Sequence, residues 1–379
     1  MKKTKIIFLT IITALIGLTV LTGCSKSDNE PIQSYNVTFD FGYNYKTTAV
    51  LVKDGSFVTP PVVEDRTGYK FLYWTLNGER FDCDSAPIKN DVILNAEWLK
   101  LKPVNIVING VSTLFYIEPK DGYTLADFSE IQPEEGLELT GFYQKIDGDI
   151  VSVKLKDGIN DNAVIYAEFK TKDLTISKID GVEEMQITGL SSDTSNIVIP
   201  NFYQELPVTT IGVNAFNKKT IEEIKFNTKI NTIKVGAFSQ AAAMSITIPK
   251  SVVTIEENAF ANSGINEIIF ESGSMLTELG AKAFSNMTNL RSIRLPDKLE
   301  VLRLGTFNNC PNLTFVYIPN SVAEIHNYIF FACSKLNVIY IQEEDPSKQY
   351  VKADKWNYEN DRPIEVKIVK DYSEIAKLK

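Results

Sequence analysis

Apolar positions recur with a fixed period through the C-terminal half of the chain. Six phenylalanines, Phe216, Phe238, Phe260, Phe284, Phe307 and Phe330, follow one another at spacings of 22, 22, 24, 23 and 23 residues. Five residues before each stands Ile211, Ile233, Ile255, Leu279, Leu302 or Ile325, in the same order. After each comes an apolar-x-x-apolar-x-apolar run, such as Ile265/Ile268/Phe270 or Leu313/Val316/Ile318, and Ile197-Val198-Ile199-Pro200 starts the series. Pro200, Pro249, Pro296 and Pro319 close strands at points where no further ladder donor is needed. A period of this length predicts stacked coils, because one coil cannot bury its hydrophobic face without a neighbour. The ends of such a stack need caps. Leu174 to Leu190, turning at Asp180-Gly181, reads as a capping hairpin, and the tail from Pro346, with Tyr350, Trp356 and Tyr358, reads as the other closure.

The pattern ahead of the repeats is different. From Tyr35 to Lys100 apolar and polar residues alternate in short runs: Val37, Phe39 and Phe41, then Ala49 and Leu51, then Tyr69, Phe71 and Tyr73. Asp54-Gly55 and Asn77-Gly78 supply turns, so a strand-rich unit is predicted. A weaker copy follows. Lys53-Asp54-Gly55 recurs as Lys120-Asp121-Gly122, Gly68 and Trp74 as Gly136 and Phe142, and Ala96-x-Trp98 as Ala167-x-Phe169. Trp74 and Trp98 read as core aromatics.

Lys2, Lys3 and Lys5 precede an uncharged, mostly apolar run from Ile6 to Leu21, too short to span a bilayer comfortably. The run ends in Leu21-Thr22-Gly23-Cys24, which resembles the lipobox of bacterial lipoproteins. That resemblance implies cleavage before Cys24 and acylation of Cys24, a membrane attachment that several acyl chains make almost permanent. Ser25 to Ser34 reads as a short tether. Its acidic residues, Asp28 and Glu30, resemble surface-export signals of Bacteroidetes lipoproteins.

Two further resemblances organise the rest. Gly68-Tyr69-x-Phe71-x-x-Trp74, Phe81-Asp82 and Asp91-Val92-Ile93-Leu94-x-Ala96-x-Trp98 resemble the internalin B-repeat, or Listeria–Bacteroides repeat, which implies small β-grasp-like modules of bacterial surface proteins. Ile246-Thr247-Ile248-Pro249-Lys250-Ser251-Val252, with Ile255 and Ala259-Phe260, resembles the BspA-like leucine-rich repeat over about 174 to 365. That family implies a solenoid and a role in adhesion and binding of host macromolecules. Thr306 and Ile329 replace the alanine of Ala-Phe and should strain packing slightly. The expected fold class is therefore mainly β with short helical turns: two small β-grasp-like modules followed by a BspA-type leucine-rich-repeat solenoid. The expected organisation is a signal peptide at 1–23, a tether at 24–34, modules at 35–100 and 101–172, a solenoid with its hairpin at 173–345, and a cap and tail at 346–379.

Composition narrows the function. The 379 residues are 44% hydrophobic and 23% charged, ordinary for a folded chain, with a formal net charge of -9 that becomes -12 once the three leader lysines are removed. An acidic chain is a poor partner for nucleic acid. One histidine, His326, follows the inward Ile325 and should point to solvent; a single histidine weakens any triad or His-clustered zinc site. No phosphate loop, nucleophile elbow or C-x-x-C is present, so no catalytic residue, metal or cofactor is expected, and the chain reads as non-enzymatic. Asp147-Gly148-Asp149 and Asp157 to Asp161 read as hairpin turns rather than calcium loops. Cys310 and Cys333 each lie three residues after a repeat phenylalanine and are expected as two small buried thiols, a disulfide being the alternative. Cys83, between Asp82 and Asp84, has no visible activating base. Asp84-Ser85-Ala86 resembles an O-glycosylation sequon of Bacteroidetes, which marks Ser85.

The remaining candidate is a surface. In each repeat strand the residue between the last two apolar positions faces outward, giving Val198, Lys225, Thr247, Ile269, Arg294, Tyr317 and Tyr340; a parallel outward row ends in Ser292, Phe315 and Val338. Phe315, Tyr317, Val338 and Tyr340, with Arg294 and Ile269, form the candidate binding surface. The patch either binds a ligand or is covered by the C-terminal tail, through Trp356; the cap is the preferred reading. Expected partners are the membrane, through the lipid, and a protein or glycan ligand. The expected role is a surface-exposed outer-membrane lipoprotein acting in adhesion; the alternative is an assembly lipoprotein docking a periplasmic partner.

Overall fold

The computed structural model describes residues 33–160 and 163–377. The leader, Cys24 and most of the tether lie outside them. The chain divides into two compact units, 1–99 and 100–379.

In the first unit, β1 (Ser34–Asp40), β2 (Thr47–Lys53), β3 (Tyr69–Leu76), β4 (Glu79–Phe81) and β5 (Val92–Lys100) form one sheet in the order β2-β1-β5-β3-β4. β1 and β5 run parallel at its centre, and each outer pair is an antiparallel hairpin. Asn77 and Gly78 both have positive φ, which matches the twist of a two-residue hairpin turn. Alternation sends Val37, Phe39, Phe41 and Leu94 to the buried face. Trp74 lies in that core, with ring centroids 4.7 Å from Phe39 and 5.3 Å from Phe41. Trp98 differs from expectation. It is half-buried at the rim, because its indole N–H donates to the Phe41 carbonyl at 2.8 Å while the Arg66 guanidinium covers the ring.

The second unit opens with the same topology. β6 (Lys102–Ile108), β7 (Val111–Ile117), β8 (Leu137–Ile146), β9 (Asp149–Ser152) and β10 (Val164–Thr171) are ordered β7-β6-β10-β8-β9, with β10 parallel to β6. Phe142 is buried against Phe128, where the first module has Trp74. The Asp147-Gly148 pair, both at positive φ, makes the β8–β9 turn.

Next comes the hairpin of β11 (Leu174–Lys178) and β12 (Met185–Leu190), antiparallel, with Gly181 at positive φ. β12 pairs in parallel with Leu206–Ile211, and from there the chain winds as a β-solenoid of about eight turns. Short strands ahead of each phenylalanine form a leading ladder; the strands behind each form a trailing ladder. Every phenylalanine of the series is fully buried, as is every isoleucine or leucine five residues before it. The six rings stack in one column with centroids 5.0–5.7 Å apart. These spacings slightly exceed the ~4.8 Å between paired strands, so neighbouring rings slip sideways into the offset arrangement that aromatic quadrupoles favour.

Two backbone devices repeat with the column. The residue two before each phenylalanine (Asn214, Gly236, Asn258, Lys282, Gly305, Tyr328) and the residue two after (Lys218, Gln240, Asn262, Asn286, Asn309, Ala332) all have φ between 55 and 65°. These paired left-handed residues reverse the chain on either side of the ring, a conformation that Asn and Gly tolerate best. In addition, the N–H of each phenylalanine from Phe216 to Phe307 donates, at 2.7–3.0 Å, to the carbonyl of the residue preceding the next phenylalanine. Because the acceptor is a carbonyl, the side chain there is free to vary. Thr306 and Ile329 are fully buried without disturbing the column, and the Thr306 hydroxyl donates to the Arg303 carbonyl at 2.6 Å.

Both ladders are interrupted. The leading ladder stops at Glu278–Leu279 and resumes at Val301–Leu302. The trailing ladder breaks twice, between Glu223–Lys225 and Ser245–Ile248 and again between Glu267–Phe270 and Ser292–Arg294, and then continues through Phe315–Ile318 and Val338–Gln342 to a tail strand, Glu365–Val369.

Candidate functional site

The trailing ladder fixes the outward rows residue by residue. Arg294 pairs with Tyr317, Tyr317 with Tyr340 and Tyr340 with Lys367; alongside run Ser292, Phe315, Val338 and Glu365. Five of the six candidate surface residues are therefore aligned in adjoining rows, while Ile269 pairs with Thr247 on the other side of the ladder break, and the exposure expected of the patch is not found. Tyr317 is only 2% exposed; Phe315, Val338 and Tyr340 are half-buried; Arg294 and Ile269 (40% exposed) face solvent.

The tail makes that difference. After the strand Glu365–Val369 it turns into a 3-10 segment, Tyr372–Lys377, that folds back over the outward face. The Tyr372 ring meets Tyr317 edge-on at 5.2 Å and Phe315 at 6.3 Å, while Val369 and Ile375 complete a small second core. Trp356 does not take part. It packs on the solenoid core, so the cover is Tyr372 with Ile375 instead. Burial pushes the Tyr317 hydroxyl up to about 12, with the Asp297 carboxylate raising it further and Arg294 opposing.

What the tail leaves open is a groove of about 900 Å³ at the break between Glu267–Phe270 and Ser292–Arg294. Ile269, Phe315, Val338, Tyr340 and the 38%-exposed Tyr372 supply its apolar surface. Its ionisable side chains balance: Glu267, Glu271 and Asp297 against Arg291, Arg294 and Lys298. The Arg294 guanidinium lies 4.4 Å from the Tyr372 ring centre and 5.8 Å from that of Tyr317, with Asp297 Oδ2 at 3.7 Å. Two flat rings and a carboxylate thus orient a side chain that would otherwise sample many rotamers. Sequence reasoning found Arg294 and Ile269 by repeat register. It missed Tyr372, Glu267 and Asp297, since nothing in the period places a tail residue or a strand end beside the outward row.

A second concavity, about 890 Å³, lies between the β8–β10 face and the first trailing strands. On its floor Glu168, 6% exposed, accepts from the Asn201 backbone N–H and side-chain amide at 2.8 and 3.2 Å. Burial pushes its carboxyl up to about 7 against those two bonds. Nearby, the buried Lys170 ammonium donates to the carbonyls of Thr171, Lys172 and Leu174 and pairs with Glu138 at 2.6 Å.

None of the other marked residues lines either concavity. Ser85 is exposed, its hydroxyl donating to Asp82 at 2.6 Å. Cys83 is buried, and burial, Asp84 and Asp82 push its thiol up, the opposite of activation. Cys310 and Cys333 are separate buried thiols donating to the carbonyls of Phe284 and Phe307 at 3.2 and 3.0 Å. His326 is paired with Glu324 at 2.8 Å. Among the described residues no three His, Cys, Asp or Glu side chains gather as a metal site, and no helix is long and apolar enough to cross a membrane.

The stacked column and its two ladders define a leucine-rich-repeat solenoid. Residues 209–343 match the BspA type leucine-rich repeat region in six copies. A curated protein of Evansella cellulosilytica, named "Putative membrane protein", is 28% identical over 144 residues, 36% of this chain. The chain spans only 21% of that relative's length. Two solved structures are also similar. The leucine-rich repeat protein of T. pallidum is 25% identical, with 45% of this chain and 69% of that one covered and a TM-score of 0.33. A leucine-rich repeat protein from Bacteroides ovatus is 18% identical, with 52% and 76% covered and a TM-score of 0.21.

Proposed function

We propose that this chain is a non-catalytic, lipid-anchored binding protein of the cell envelope that presents the outward face of its solenoid to a protein or glycan ligand. In this reading Cys24 carries the anchor, the two sheet modules act as internalin B-repeat-type spacers, and adhesion is the outcome. The observation that carries it is the groove around Arg294: an oriented guanidinium and apolar surface in an open concavity. The membrane-protein name of the Evansella relative supports an envelope location. The test combines protease shaving of intact cells with protein and glycan arrays on the 25–379 fragment. Cleavage of the solenoid on intact cells, with array binding, is the expected result. Repeats protected from shaving would favour the alternative, a lipoprotein docking a periplasmic partner, and a fragment that binds nothing would sink the reading.

A further inference from the structure

We propose that the groove at the coil break takes an uncharged glycan segment, hydrogen-bonded by Arg294 and Asp297 and packed against Ile269 and Tyr372. This rests on the outward face being the binding surface, and it names the chemistry of the ligand.

Three features of the groove select that chemistry. Its three carboxylates and three cations leave no net field to hold a polyanion or a polycation. Arg294 and Asp297 place a planar set of donors beside an acceptor, 3.7 Å apart. Vicinal hydroxyls, each both donor and acceptor, satisfy such a pair together, whereas a carboxylate or phosphate ligand would be repelled by Asp297. The apolar side, Ile269 and the exposed part of Tyr372, suits the C–H face of a sugar ring. The volume falls within the ~300–1,000 Å³ of small-molecule sites.

A peptide added as a strand does not fit. Glu267–Phe270 and Ser292–Arg294, although unladdered, still bring Cα atoms within 8 Å of each other. A strand between them would need two inter-strand spacings, about 9.5 Å.

The experiment is calorimetric titration of the 25–379 chain with neutral hexasaccharides (cello-, malto-, xylo- and mannohexaose), with hexagalacturonate and a heparin hexasaccharide as acidic arms. A peptide array runs in parallel. At least one neutral hexasaccharide is expected to bind, with affinity changing less than about twofold between about 50 and 500 mM salt. Arg294→Ala should weaken it by about tenfold or more, and Arg294→Lys, which keeps the charge but loses the planar fork, nearly as much. Arg294 is half-exposed, so thermal unfolding should confirm that both variants remain folded. Binding of acidic arms only, of no hexasaccharide, or of a neutral one with full affinity for a folded Arg294→Ala chain overturns the proposal. Peptide binding that is lost in Arg294→Ala would overturn the glycan class and leave the outward-face reading standing. If neither sugars nor peptides respond to Arg294→Ala, both fall.

Discussion

The Glu168 carboxylate on β10 holds Asn201 of the first solenoid coil by two hydrogen bonds, and Asn201 Oδ1 in turn accepts from the Thr228 hydroxyl at 3.2 Å. A carboxyl buried at this junction couples the second sheet module to the coils behind it. With its pKa near 7 in the folded chain against 4.5 ordinarily, it favours the protonated form on folding. The stability it contributes is complete below pH 4.5 and is lost as pH rises through 7, where ionisation costs about 3 kcal/mol. Glu168→Gln stays neutral and should be more stable than wild type at pH 8 while matching it near pH 4, by urea unfolding. Parallel pH profiles for the two chains would remove Glu168 as the cause.

Phe260 stacks on rings at both sides, Phe238 at 5.0 Å and Phe284 at 5.4 Å, whereas Phe216 has a ring of the column on one side alone. Phe260→Ala should cost ~3–5 kcal/mol through its cavity, and Phe216→Ala about 1 kcal/mol less for the missing ring pair. Denaturant midpoints check the order. Equal costs would mean that ring stacking adds nothing beyond burial.

Gly280 stands four residues before Phe284, where other coils carry Gly212, Lys234, Glu256, Arg303 or His326. A Cβ on Gly280 would meet the Glu257 nitrogen at 2.3 Å and the Glu256 carbonyl carbon at 2.4 Å. Gly280→Ala should therefore destabilise by roughly 1–3 kcal/mol, although four of the other coils hold a larger residue at this position. A thermal midpoint unchanged within error would show that the coil relaxes.

A hydrogen bond with the neighbouring Cys333, together with burial, pushes the Cys310 thiol well above its ordinary value. Neither thiol should react with iodoacetamide in the native chain, and both should in urea. Non-reducing mass spectrometry should find no Cys310–Cys333 cross-link.

Ending the chain after Lys370 removes Tyr372 and Ile375 and uncovers Tyr317. Dye binding to exposed apolar surface should rise and the thermal midpoint fall. An unaltered dye signal would mean that the tail does not cover the patch in solution.

The coil column was legible because its signal is redundant: six phenylalanines, six preceding aliphatics and six strands share one period, and each must point inward for any to be buried. Outward register was legible too, since strand alternation leaves Arg294, Tyr317 and Tyr340 no other face. The second sheet module repeated the first despite losing both tryptophans, because Phe142 fills the same core position. Trp98 read as core only because residue type was visible and its rim contacts were not.

Repetition along the chain thus dictated the stack, its inward column and its outward rows, as local patterns repeated often enough leave a single way to bury them. Tertiary structure alone decided that Tyr372 lies on Tyr317, that the ladders part after Glu267–Phe270, and that Glu168 meets Asn201. Both contacts, Tyr372 on Tyr317 and Glu168 with Asn201, join a coil to a segment outside the period. Their placement depends on how a tail or neighbouring module packs against finished coils, information no single repeat carries.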